Sequence, residues 1–253
     1  MIKFSVSEAM KIGFIGGGRL AFALANGFIS AGLAKPEEIT ASVHPADTAS
    51  AEAFKGLGAT ATFENKPVVE RSEVVIVSVK PEVVGPALRD VRDLPASKGK
   101  LFISVAMGVS TATIEKNLPA EARVIRVMPN TPALVKEGAA ALSRGAKATP
   151  EDAKLAAQLF RAVGSCDEVP EYQMDAVTAL SGSGPAYVSI KSFKSIKLKS
   201  KKAAETSKLL YSTKNIDVKF TVEDAKLVAP LFSTLWSCDD TPHASELKND
   251  VMH

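Results

Sequence analysis

Cysteine is scarce in this 253-residue chain. Cys166 and Cys238 allow one bridge at most, which excludes a disulfide-stapled scaffold and favours a reducing compartment. No Cys/His grouping has zinc-ligand spacing, so no metal site is expected. Nor does any His/Asp or paired-carboxylate constellation suggest a strong general acid or base. No apolar run approaches the roughly 20 residues that a membrane-spanning helix needs. The first ten residues, MIKFSVSEAM, lack the Arg-rich, acid-free character of a transit peptide and the long apolar stretch of a secretion signal. They are read as a short extension, residues 1–10, and the expected compartment is the cytoplasm. Neither charge sign prevails: a formal net charge of +3 does not point to nucleic acid or an acidic membrane surface.

What the chain does have is apolar content. Hydrophobic residues make up 46% and charged residues 23%, enough to bury a full core in one large or two modest globular domains. From Lys11 to about Met128, β-rich runs alternate with helical patterns. The runs are KIGFI, ITASV (39–43), VVIVSV (74–79), LFISV (101–105) and RVIRVM (123–128). Strands that are continuously apolar suit a parallel sheet covered on both faces. Between the first two, Leu20, Leu24, Phe28 and Ala31 recur on one helical face that stops at Gly32. Together these signs predict a doubly wound α/β fold.

Further along, Thr149, Pro150 and Asp152 supply an N-cap, a first-turn proline and an acid at the third helical position. That helix continues through Leu155, Leu159 and Val163 and ends at Gly164. A smaller, incomplete all-helical domain is expected over residues 167–253, after a first domain over 11–166. Its opening, YQMDAVTALSGSGPAYV, has helical spacing broken by SGSGP. Residues 190–214 hold eight lysines against the single acid Glu205, and read as a solvated face before a nucleic-acid patch. The pair Thr221 and Asp224 restarts a helix that Pro230 kinks or ends.

Gly16-x-Gly18-x-x-Ala21 follows one strand and opens one helix, the context that a dinucleotide fingerprint requires. Gly16 permits the tight turn, Gly18 lets the main chain approach a diphosphate, and Ala21 lets the helix pack closely on the sheet. A close-packed turn with no ligand is the other reading. An NAD-selective site carries Asp or Glu at the end of the second strand, but that place reads Ala41-Ser42-Val43-His44-Pro45, with no acid before Asp47. NADPH is therefore favoured, and NADH stays open, since no arginine for a 2′-phosphate stands out. Ser42 and His44 are the polar candidates there. Three more loops fall at strand ends where ligands bind: Ser78 to Pro81, Val105 to Gly108 and Met128 to Pro132. In these, Lys80 and Asn130 are candidates to meet a substrate, against plain readings as a solvated lysine and a turn former.

The segments IGFIGGGRLAFAL, VSVKP, ISVAMGVS, RVMPNTPALVKEGA and DAVTALSGSGPAYV resemble pyrroline-5-carboxylate reductase, nearly unbroken from Lys11 to about Val188. The resemblance implies a Rossmann-type cofactor domain and an NAD(P)H-dependent reduction of 1-pyrroline-5-carboxylate to L-proline, the last step of proline biosynthesis. By matching position it implies that Ile15, Gly16, Gly17, Gly18, Arg19 and Leu20 hold the diphosphate. It places Ser42 and Val43 beside the adenosine ribose and Asn65 against the adenosine. Ser78, Val79, Lys80 and Pro81, with Val105, Ala106 and Met107, would flank the nicotinamide. A protonated imine is already electrophilic, so hydride transfer depends on close stacking more than on a strong acid, and no proton donor is named. After Val188 the likeness gives way to the lysine-rich stretch and returns faintly at HASELKNDV (243–251). A Ser-Pro-Gly-Gly-Thr turn and the interface helices of the family are absent, so turnover by this chain is expected to be impaired and the family's homo-oligomer is doubtful. Another NADP-dependent reductase with a helical second domain, and a noncatalytic NAD(P)-binding partner or redox sensor, remain as alternatives.

Overall fold

The computed structural model describes residues 10–182, so the readings made for residues 1–9 and 183–253 lie outside it. Eight strands form one sheet in the order β3-β2-β1-β4-β5-β6-β7-β8. They are β1 (Ile12–Ile15), β2 (Ile39–Ser42), β3 (Thr60–Thr62), β4 (Val74–Val77), β5 (Leu101–Ser104), β6 (Arg123–Met128), β7 (Gly138–Arg144) and β8 (Gly164–Glu168). All neighbours run parallel except β6 and β7. The helices are α1 (Arg19–Ser30), α2 (Thr48–Gly56), α3 (Asn65–Arg71), α4 (Pro81–Arg92), α5 (Thr111–Lys116), α6 (Pro150–Arg161) and α7 (Met174–Val177).

Continuous apolarity of the strands has a direct structural cause. In β4, Val74 and Ile76 enter the cluster shared with α1, α2 and α6, whereas Val75 and Val77 enter the one shared with α3, α4 and α5. Successive side chains point to opposite faces, so a strand covered on both sides needs apolar residues at every position. Phe14 anchors the first face, with its ring 6.3 Å from Phe28 and 6.1 Å from Phe54. Phe160 of α6 extends the same cluster, meeting Phe28 edge-on at 6.4 Å.

Three strands escape the sequence reading. The outer strands β3 (TAT) and β8 (GSCDE) are short and largely polar, with Cys166 the buried residue of β8. Such edges expose half their surface, so hydrophobic pattern says little about them. β7 (GAAALSR) is alanine-rich and weak in β-propensity; pairing with β6 on one side and β8 on the other overrides that. Because β6 leads straight into β7 through a short connection, that pair runs antiparallel without a crossover helix. The strand β8 continues to Glu168, so residue 166 lies within it.

The start of α6 follows the sequence signal closely. Thr149 Oγ1 accepts the amide of Asp152 at 3.2 Å, and Asp152 Oδ2 accepts the amide of Thr149 at 2.9 Å. Asp152 Oδ1 also accepts Arg123 Nη1 at 2.5 Å, which ties the helix start to β6. Beyond β8, the 3-10 turn Glu171–Gln173, α7 and the wide turn Thr178–Gly182 carry the chain to the end of the described residues. Among those residues no helix is long and apolar enough to cross a membrane.

Candidate functional site

Strand order reverses between β1 and β4, whose neighbours lead outward in opposite directions. In open α/β sheets the crevice at the carboxyl ends of such strands is where ligands bind. The glycine loop lies there. Gly16 has φ +93, and a Cβ on it would stand 2.6 Å from the Ser78 carbonyl oxygen and 2.5 Å from Val79 Cγ1. Both the backbone conformation and the contact with the chain leaving β4 demand glycine. Gly17 is pressed against Val43 in the same manner, at 2.5 Å. Gly18 differs: a Cβ there would meet nothing within 4 Å. Among the described residues, apart from its chain neighbours and its own helix, nothing fills the room in front of it.

Gly18 is also the N-cap of α1, with no side-chain cap and no acid in the helix's first turn. Unpaired amides at a helix start, with the positive end of the helix dipole, attract an anion. The residues therefore fit a diphosphate in front of Gly18, Arg19 and Leu20. The amides of Gly16 and Gly17 do other work. Gly16 donates to Ser42 Oγ at 3.2 Å and Gly17 donates to the Ser42 carbonyl at 2.7 Å. Ile15 is fully buried and fixes the loop from below.

Ser42 thus holds the loop in place. Its hydroxyl also donates to Asn65 Oδ1 at 2.8 Å, and Asn65 Nδ2 donates to Asp90 Oδ2 at 3.2 Å. Asn65 stands half-buried at the first position of α3, so the ends of β2 and α3 are brought together beside the glycine loop. Val43 is buried and donates its amide to Thr62 at 2.8 Å. His44 is exposed, its Nδ1 accepting the amide of Ala46 at 3.2 Å. Asp47 caps α2 by accepting the Ser50 amide at 3.0 Å, and its hydrogen bonds to Ser50 hold its carboxyl below the ordinary value.

On the other side of the crevice Ser78 donates its amide to Ile15 at 2.8 Å, and Val79 leans on Gly16. Lys80 is the exposed N-cap of α4 and Pro81 its first residue. After β5, Val105 donates its amide to Val77 at 3.0 Å, and Ala106 donates to Ser104 Oγ at 3.3 Å. Met107 packs on Met128, Ala141 and Met174. Asn130 is buried: its Oδ1 accepts the Ala139 amide at 2.9 Å, while Nδ2 faces Ser181 Oγ at 3.4 Å. It ties the β6–β7 connection to the end of the described segment.

Sequence reasoning passed over Arg126, Glu171 and Asp175. Arg126 is 4% exposed and pairs with both acids at 3.0 Å. An arginine within the otherwise apolar run RVIRVM was the available signal, since a buried charge requires partners. Which acids those are depends on contacts 45 and 49 residues away.

A family model described as "NADP oxidoreductase coenzyme F420-dependent" matches residues 11–108. A pyrroline-5-carboxylate reductase from Methanosarcina acetivorans is 44% identical over 182 residues, 72% of this chain and 66% of that protein. One from Arabidopsis thaliana is 41% identical over 182 residues and is covered to 65%. The chain thus spans just under two thirds of the length of these curated relatives. A solved pyrroline-5-carboxylate reductase structure from Coxiella burnetii superposes with TM-score 0.70 at 27% identity, covering 95% of this chain and 90% of that one. Fold and loop define a doubly wound α/β protein of the Rossmann class, with its crevice at the β1/β4 switch point. Through the matched segment, the chain belongs to the pyrroline-5-carboxylate reductase family.

Proposed function

We propose that this chain binds NADPH, or NADH in its place, across the β1/β4 crevice and reduces 1-pyrroline-5-carboxylate to L-proline. The observation that carries the reading is the open face of Gly18 at the uncapped start of α1, beside two glycines that the protein's own atoms require. The names of the relatives, and the NADP oxidoreductase description of the matching model, support it.

When bound, the dinucleotide supplies the hydride. The chain's own residues do the rest. Amides of Gly18, Arg19 and Leu20 receive the diphosphate, and Ser42 keeps the loop in the shape that presents them. Val43 and Asn65 flank the adenosine side. Ser78 to Pro81 and Val105 to Met107 wall the nicotinamide side, where half-buried Val79 and Met107 with buried Val105 and Ala106 exclude water. Holding the ring and the C=N carbon in contact removes most of the entropic barrier to a hydride step. One proton must also reach the imine nitrogen to complete the amine. Lys80, exposed at its helix cap, has the charge to orient the substrate carboxylate; Asn130, buried in its own hydrogen bonds, shapes the loop behind it.

In this reading the cofactor domain starts at residue 11 and runs past the expected boundary at 166 to the end of β8, and the helical substrate and dimerisation domain follows it. The chain works in the cytoplasm, without nucleic acid or membrane as partner. Two measurements on the full chain test it: calorimetric titration with NADPH and NADH, and loss of reduced-nicotinamide absorbance with pyrroline-5-carboxylate. Binding with turnover supports the reductase. Binding without turnover leaves the noncatalytic nucleotide-binding reading, and no binding refutes both. Light scattering of the same sample decides whether it self-associates.

A further inference from the structure

Three charged side chains meet where β6 touches the segment after β8. Arg126 lies within β6, opposite Ser104 of β5 and Ser143 of β7, with almost no exposure. Its Nη1 donates to Glu171 Oε1 and its Nη2 to Asp175 Oδ1, each at 3.0 Å. The same Glu171 oxygen accepts the amide of Thr111, the first residue of α5, at 3.2 Å. One guanidinium therefore joins the sheet, the turn that carries Glu171, and the far end of the loop that leaves β5.

That loop contains Val105, Ala106 and Met107. Its near end is pinned by the amides of Val105 and Ala106, which donate to Val77 and to Ser104 Oγ. The Thr111–Glu171 bond pins its far end, and Glu171 is held there by Arg126. Without the guanidinium, a carboxylate whose second oxygen is already buried with no partner among the described residues would lose its counter-charge. A carboxylate in that position moves toward water, because desolvating an unpaired charge costs more than a rearranged turn.

We infer that Arg126 is a positioning residue for the nicotinamide half of the site. Acting through Glu171 and the Thr111 amide, it holds the 105–107 loop in the arrangement that flanks the ring. The inference rests on the proposed cofactor reading, and assigns Arg126 an action through Glu171 rather than on the cofactor.

The test uses the full chain and two probes: NADPH, and 2′-phospho-ADP-ribose, which has the diphosphate and adenosine but no nicotinamide. Arg126→Met is expected to weaken NADPH by about tenfold, as the competent loop arrangement falls to roughly a tenth of the population, while the fragment stays within about twofold. Arg126→Lys, keeping the charge but not the fork, recovers part of the loss. Glu171→Gln leaves Arg126 paired to Asp175 and shows the same selective loss, smaller in size; it decides the matter alone if the methionine variant does not fold. Equal weakening of both probes, or unchanged NADPH affinity in folded variants, overturns the inference. Wild-type chain that binds neither probe overturns the cofactor reading and this inference with it.

Discussion

The two ends of the sheet are fastened differently. Around β1, β2 and β4 the crevice is shaped by main chain and apolar side chains: Gly16 against Ser78, Gly17 against Val43, and Phe14 between Phe28 and Phe54. Around β6 to β8 the fastenings are charges and amides: Arg126 with Glu171 and Asp175, Arg123 with Asp152, Arg144 with Glu168, and Asn130 with Ala139. A backbone-built site is specified by where side chains must be missing, whereas a charge-built one is specified by which side chains meet. The first tolerates no added atom; the second tolerates no lost partner.

The largest effect should come from the apolar end. Phe14→Ala removes a fully buried ring that packs against two others, and urea unfolding should show a loss of about 3 to 5 kcal/mol. A loss below that of a surface substitution would mean that the cluster is not the core of this end. Next come two glycines that differ sharply. Gly16→Ala forces both an unfavourable φ and a clash with the Ser78 carbonyl, so stability should fall by about 1 to 3 kcal/mol, with NADPH binding lost. Gly18→Ala should melt within about 0.5 kcal/mol of the parent, since its Cβ meets nothing, yet titration should show NADPH binding abolished. Equal affinity in parent and Gly18→Ala would remove the diphosphate from that face.

At the polar end, Thr149→Ala deletes one arm of the capping box and should cost about 1 kcal/mol by the same unfolding assay. An unchanged midpoint would show that the Arg123–Asp152 pair alone secures the start of α6. The smallest effect at neutral pH concerns Cys166, whose thiol burial pushes up to about 12 from 9.0. The unfolded thiol ionises near 9 while the folded one keeps its proton, so the unfolded state binds fewer protons in between. Stability from this group is therefore full below pH 9 and falls as pH rises from 9 toward 12. Cys166→Ala should flatten that alkaline limb of the unfolding profile. Peptide mapping should find Cys166 unalkylated by iodoacetamide in native buffer and modified in urea.

Legibility followed the same division. Continuous apolar runs placed β1, β2, β4, β5 and β6, because a strand covered on both faces shows in composition at every position. The TPED signal placed α6 because a capping box is local, closing within four residues. β3 and β8 were hidden because edge strands obey pairing more than pattern. The resemblance placed Ser42 beside the ribose; that its hydroxyl and carbonyl also hold the glycine loop depends on a contact 26 residues away, which no local pattern carries. Asn130 stood as a substrate candidate beside a plain reading as a turn former; that its amide bridges to Ala139 and Ser181 depends on distant residues that only the fold brings to it.

By itself the sequence determined the strand–glycine–helix turn, the double winding of β1, β2, β4, β5 and β6, and the cap of α6. These depend on local conformational limits and on periodicities that neighbouring residues carry together. Tertiary structure alone decided that Gly18 faces open space while Gly16 and Gly17 face the protein, and that Arg126 finds its partners in Glu171 and Asp175. Burial and charge pairing are properties of the space that distant segments enclose, and that space exists only once the chain has folded.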